Sequence, residues 1–128
     1  CDPVLVVLGA WLGEVPGAEV VPNEAWADGM GSSLRCGLGV LEGRDGVDRV
    51  LVSLVDLPGL TPAAVRRLLD VHADLAAAAY AGERGHPVLL GRAHWAGVAA
   101  TAGNFAVSGR SVTLVSTIAN CTAWRAAA

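Results

Sequence analysis

The chain has 128 residues, 53% of them hydrophobic and 16% charged, and a net charge of −3 from nine Arg, no Lys and twelve acids. This is enough chain for one domain with a real core, and the composition excludes a disordered segment. No basic cluster exists beyond Arg66-Arg67, which argues against nucleic acid as a partner, and no apolar run reaches the ~18–20 residues of a membrane span.

Cys1, Cys36 and Cys121 are far apart and odd in number. They form no zinc-ligand pattern and read as reduced thiols of a cytoplasmic protein. The opening Cys1-Asp2-Pro3 has no start methionine and no basic region. The chain therefore reads as beginning inside a longer protein, with no signal peptide visible.

In chain order, Val4–Leu8 predicts a short buried strand followed by Gly9, and Ala18–Val21 a second strand ended by Pro22. Leu34, Leu38 and Leu41 recur at helical spacing, so 32–41 predicts a helix, with Gly43 as its stop signal. Val50–Val55 is nearly all apolar and suits a strand covered on both faces. Thr61-Pro62 is a helix start, a capping hydroxyl followed by proline at the first helical position. Val65, Leu68, Leu69, His72 and Leu75 then share one face, opposite Arg66, Arg67, Asp70 and Asp74. Ala77–Tyr80 and His86–Leu90 predict an antiparallel pair around a turn at Glu83-Arg84-Gly85. A short helix at 94–102 on Trp95, Val98 and Ala99, and a last strand at 112–115, complete the pattern. Alternating strands and helices with short connections give a layered α/β fold.

Three segments can carry chemistry. Asp56 ends the Val50–Val55 strand, and Pro58 closes the segment. Ligands of open parallel sheets bind beyond such strand ends, and a carboxylate there suits Mg²⁺ shared with phosphates. The same residue also suits a plain turn cap. The run Asn23-Glu24-Ala25-Trp26-Ala27-Asp28-Gly29-Met30-Gly31-Ser32-Ser33 combines glycines with a helix start, where free N–H groups and a positive dipole end suit a phosphate or ribose. Taken locally, the run reads first as an ordinary loop with Ser32 or Ser33 as cap. In Arg84-Gly85-His86-Pro87, His86 is held between a flexible and a rigid residue, which aims its ring, or marks a capped turn.

In order and spacing, these segments resemble the MobA-like nucleotidyltransferase family, in particular its molybdenum cofactor cytidylyltransferase branch. The pieces are Val21-Pro22-Asn23 to Trp26, Gly29 to Arg35, Leu54-Val55-Asp56-Leu57-Pro58 with Thr61-Pro62, and Arg84-Gly85-His86-Pro87-Val88-Leu89, within a match from about Val4 to Gly103. The resemblance implies a Rossmann-like three-layer nucleotidyltransferase domain with a mostly parallel sheet. It implies transfer of CMP from CTP to a molybdopterin-type acceptor, with Mg²⁺, in molybdenum cofactor maturation. It places Asp56 at the metal and Asp56 with His86 in the catalytic role. Asn23, Gly29, Met30, Gly31, Ser32, Ser33, Arg35, Arg84 and Pro87 fall in the nucleotide-contacting and active-site regions.

The family opens with a strand and a glycine-rich loop resembling LAAGxGxRMGxxK, which holds the triphosphate. No such loop, and no lysine, occurs here. The expectation is one truncated domain over 1–128, incomplete at its N-terminus, with a divergent tail over 104–128. As this fragment it is expected to be inactive, and to self-associate through the sheet edges that a missing central strand exposes. The alternative is a non-catalytic nucleotide- or protein-binding module of α/β fold.

Overall fold

A computed structural model describes residues 3–54, 57 and 59–100, and the backbone of strands at 105–107, 110–112 and 117–120. Apolar residues alternate between two buried faces and so define the layers. Strand β1 is Val4–Leu8, β2 Glu19–Pro22, β3 Arg49–Ser53, β4 Leu75–Tyr80 and β5 Glu83–Gly91. Helix α1 spans Met30–Glu42, α2 Pro62–Leu69 and α3 Trp95–Ala100. Leu5, Val7, Val50, Val52, Val88 and Leu90 turn to one face, where Leu34, Leu38 and Leu41 of α1 and Trp95 and Val98 of α3 cover them. Leu51 and Leu89 turn to the other face, under Leu68 and Leu69 of α2. Burial of each such side chain contributes roughly 1.5–3 kcal/mol. The result is the expected Rossmann-like three-layer α/β arrangement.

The sense of strand pairing departs from expectation. Three short strands follow α3: β6 Phe105–Val107, β7 Arg110–Val112 and β8 Thr117–Asn120. The main sheet has the order β2-β1-β8-β3-β5-β4, and β6 and β7 form a separate antiparallel pair. Of the five pairings in the main sheet, only β1–β2 is parallel. The sheet is therefore mixed, not mostly parallel. The cause is β8, which pairs antiparallel with both β1 and β3. Because β1 and β3 oppose the same strand, they run parallel to each other, one place apart.

Strand β8 thus lies between β1 and β3. Unpaired N–H and C=O groups at mid-sheet are costly, and the backbone of β8 pairs with β1 and β3 there. The outer edges of the sheet are β2 and β4.

Local signals explain most element ends. α1 starts at Met30, two residues before the expected Ser32, because Gly29 turns the chain with φ of 104°, a conformation that favours glycine. α2 begins as expected: Thr61 Oγ1 accepts from the Ala64 N–H at 3.2 Å and Pro62 is its first residue. It stops at Leu69, and Leu75 belongs to β4 instead. The hairpin turn lies at Ala81-Gly82, both with positive φ, so Glu83–Gly85 is strand and not turn. Two consecutive positive φ values match the twist of a two-residue hairpin. Of the expected last strand at 112–115, Val112 ends β7, and 113–115 lie outside the described residues.

Arg92 fastens the end of α1. Its Nη2 donates to the Glu42 carbonyl at 2.7 Å and its Nη1 to the Val47 carbonyl at 2.8 Å. Its guanidinium also lies 5.2 Å from the centre of a Trp95 ring. A cation at a helix C-terminus answers both the orphan carbonyls and the dipole.

If β8 holds the sheet together, Ile118→Pro should destabilise the chain by about 2–3 kcal/mol, since proline removes a ladder donor and bends a central strand. Urea unfolding followed by circular dichroism measures this. An unchanged midpoint would show that β8 does not occupy the slot.

Candidate active site

One edge of the sheet gathers most of the expected site. β1, β2 and β3 all end there, at Leu8, Pro22 and Ser53. The Asn23 N–H donates to the Leu8 carbonyl at 2.8 Å, which closes β1 and β2 together. β5 runs the other way, so its early residues His86 and Pro87 reach the same edge, just before the Val88–Val52 pair.

Asn23 organises the α1 side. Its side chain is only 6% exposed. Nδ2 donates to Ser32 Oγ at 2.8 Å and to Ser33 Oγ at 3.0 Å, while Oδ1 accepts from the Ala25 N–H at 3.0 Å. The Ala25 donor fixes the amide orientation, because a flipped amide would place two donors face to face. Ser32 Oγ lies 2.8 Å from the Ala25 carbonyl and 2.7 Å from the Gly29 carbonyl. Its one proton is shared between those acceptors. Asn23 and Ser32 therefore direct their polar atoms inward and shape the loop. Gly29 is exposed, Met30 and Ser33 are partly so, and Gly31 is buried. Neither serine caps α1, whose cap position is Gly29.

The β5 side is shaped by a bulge. Ala77 pairs with Val88 and Ala79 with Arg84, so Gly85, His86 and Pro87 stand opposite Ala78 alone. Proline has no N–H to give the ladder, and the extra residues bend the strand away from its partners. The His86-Pro87 bond is cis. The Tyr80 hydroxyl donates to the His86 carbonyl at 2.8 Å, and its ring lies against Gly85, where a Cβ would come within 3.2 Å. His86 is 8% exposed and Pro87 is buried, whereas Arg84 is exposed. Arg35 is partly buried on α1. His72 and His94 are both exposed and stand apart from this edge.

Asp56 lies outside the described residues, as do Val55 and Pro58. Leu54, two residues before it, follows the end of β3 at the same edge. Among the described residues no group of three or more His, Cys, Asp or Glu is placed to hold a metal. Mg²⁺ does not need one, because it takes one or two protein carboxylates and completes its shell with phosphate oxygens and water. Burial pushes the Cys36 thiol up, and its Sγ donates to the Pro22 carbonyl at 3.4 Å.

Sequence reasoning missed Tyr80 and Ser53. Tyr80 reads as an ordinary strand aromatic until the bulge places it against Gly85. Ser53, 7% exposed, ends β3 at the edge, with its hydroxyl donating to the Leu54 carbonyl at 3.2 Å. A cavity of about 330 Å³ lies on the α2 face, lined by Ala64, Arg67, Leu68 and Tyr80 among others.

The profile of the MobA-like NTP transferase domain matches residues 1–116. Among curated proteins, nicotine blue oxidoreductase of Paenarthrobacter nicotinovorans is 34% identical over 105 residues, covering 70% of this chain and 50% of the relative. The chain thus spans about half the length of the curated relative it matches.

Removing the Asn23 amide should loosen this edge. Asn23→Ala leaves the Ala25 N–H and the Ser32 hydroxyl short of partners, which costs about 1–3 kcal/mol. Urea titration and amide exchange over 25–33 measure it. The expected result is lower stability with faster exchange in that loop, and unchanged exchange there would contradict the assigned network.

Proposed function

The chain belongs to the MobA-like NTP transferase family, and from that premise we propose that the protein carrying it transfers CMP from CTP to a molybdopterin-type acceptor. The observation that carries this reading is the meeting, at one carboxyl edge, of the Asn23–Ser33 loop, the end of β3 and the bulged His86-Pro87 segment.

In this reading the backbone of Gly29–Ser33 and the side chains of Ser33 and Arg35 face the nucleotide. Asn23 and Ser32 hold that loop in shape, and His86, with Arg84 and Pro87 beside it, bounds the acceptor side. Asp56 would hold Mg²⁺, which would supply charge neutralisation for the phosphates and the leaving pyrophosphate. Nucleotidyl transfer is mostly positioning and charge neutralisation. The 128 residues alone supply Asp56, Arg35 and Arg84 but no lysine and no glycine-rich cradle. Each missing contact of that kind costs about 3–4 kcal/mol in the transition state, so this segment alone should not turn over.

Among the described residues no helix is long and apolar enough to cross a membrane. The reading places the reaction in the cytoplasm. Self-association, if it occurs, would use an outer edge such as β4, whose sequence Leu75–Tyr80 carries no charge.

Two other readings have a specific observation behind them. The absence of lysine favours a binding module that holds nucleotide without transfer. The likeness to nicotine blue oxidoreductase favours a redox reaction instead, since one fold hosts unrelated chemistries.

The test is pyrophosphate release from CTP with molybdopterin and Mg²⁺. In a complete family member, Asp56→Ala at the matching position should abolish release while stability falls by no more than about 1 kcal/mol. The 128-residue chain should release none. Turnover within a few-fold of wild type in the variant would reject the metal role. Release by the short chain would show the catalytic apparatus to lie elsewhere. Consumption of nicotine blue with a supplied reductant, and no pyrophosphate, would favour the redox reading.

A further inference from the structure

The chain uses its tryptophans in opposite ways. Trp95 is fully buried, with Nε1 donating to the Leu90 carbonyl at 3.2 Å, and serves the core. Trp26 is 50% exposed, although its backbone and the root of its side chain are held firmly. Its Cβ and Cγ rest on Gly9, directly after β1, so closely that a Cβ at Gly9 would collide with them. The preceding Ala25 is fixed through its N–H by Asn23 and through its carbonyl by the Ser32 hydroxyl and the Asp28 N–H. The Trp26 carbonyl accepts from the Gly29 N–H at 3.2 Å.

A large aromatic held at its backbone and root and left half in water is an unfinished contact. It does not complete the core, since no residue of Trp26–Asp28 is buried. Its place at the ends of β1 and β2 puts it beside the Asn23–Ser33 loop, where ligands of α/β sheets bind. A half-exposed indole held at its root suits a flat partner, because ring stacking needs a face and tolerates many ring chemistries.

We infer that Trp26 is a specificity-determining stacking residue that receives the planar heteroaromatic ring of the ligand. The inference rests on the reading of this edge as the binding site, and it adds which chemical feature of the ligand is selected there. The ring has two possible sources, the base of the nucleotide and a pterin-type ring of the acceptor. Trp11, 66% exposed on the loop after β1, is the control, because its ring folds back over Gly13 instead of resting on the strand end.

The experiment is calorimetry and tryptophan fluorescence on the full chain with three probes: CTP with Mg²⁺, 6-hydroxymethylpterin, and tripolyphosphate with Mg²⁺. At least one ring-bearing probe should bind and quench emission. Trp26→Ala should weaken that probe about tenfold, leave tripolyphosphate unchanged, and Trp26→Phe should recover most of the loss. Trp11→Ala should change the same affinity less than twofold. Melting curves of both variants show whether the fold is kept.

If CTP responds, the ring is the base; if the pterin responds, it is the acceptor. Binding of both ring probes within twofold of wild type in Trp26→Ala would overturn the inference, and so would binding of neither to wild type. The transfer reading fails separately, by absence of pyrophosphate release from a complete family member in which the ring probes still depend on this tryptophan.

Discussion

The candidate site depends on one buried amide. Asn23 ties the end of β1 to β2 through its backbone N–H and ties β2 to the first turn of α1 through its side chain. An amide is the only side chain here that can donate twice toward two serines while accepting from the Ala25 N–H. Buried hydrogen bonds of this kind add modest net stability but are expensive to leave unmade, so they specify one loop conformation over its competitors. Gly29, Met30 and Trp26 take their positions from that choice.

The second constraint is the central strand. β1 and β3 present parallel edges one place apart, and β8 joins them from a distant part of the chain. That closure sets the register of the carboxyl edge, since Val6 and Ser53 both pair with Thr117. On the far side, the bulge opposite Ala78 sets where His86 emerges. The edge is thus defined by two separate devices, a side-chain network on the α1 side and a break in strand pairing on the β5 side.

Much of this was legible in the residues. Leucines at helical spacing gave α1 its buried face, and Thr61-Pro62 marked the start of α2, because both signals are local. The order of motifs pointed to the family and to the layered fold. Three features escaped for physical reasons. Leu75 continues the helical face of α2 as well as it begins a strand, and only tertiary packing decides between them. The turn at Ala81-Gly82 was displaced to Glu83–Gly85, because alanine at positive φ carries no sequence signal. The pairing of β8 is non-local, and a short run such as Thr117–Asn120 announces no partner. For the site, the sequence named Asn23 and Ser32 but could not show that both point inward. Tyr80 needed the bulge to be seen.

The most direct measurement is chemical-shift mapping of the 128-residue chain titrated with CTP and Mg²⁺. The account predicts perturbations concentrated at Asn23–Ser33, Ser53-Leu54 and Arg84–Val88, which belong to one edge only in the folded sheet. Shifts confined to Ala64, Arg67 and Leu68 around the cavity on the α2 face, with Asn23–Ser33 unmoved, would contradict it.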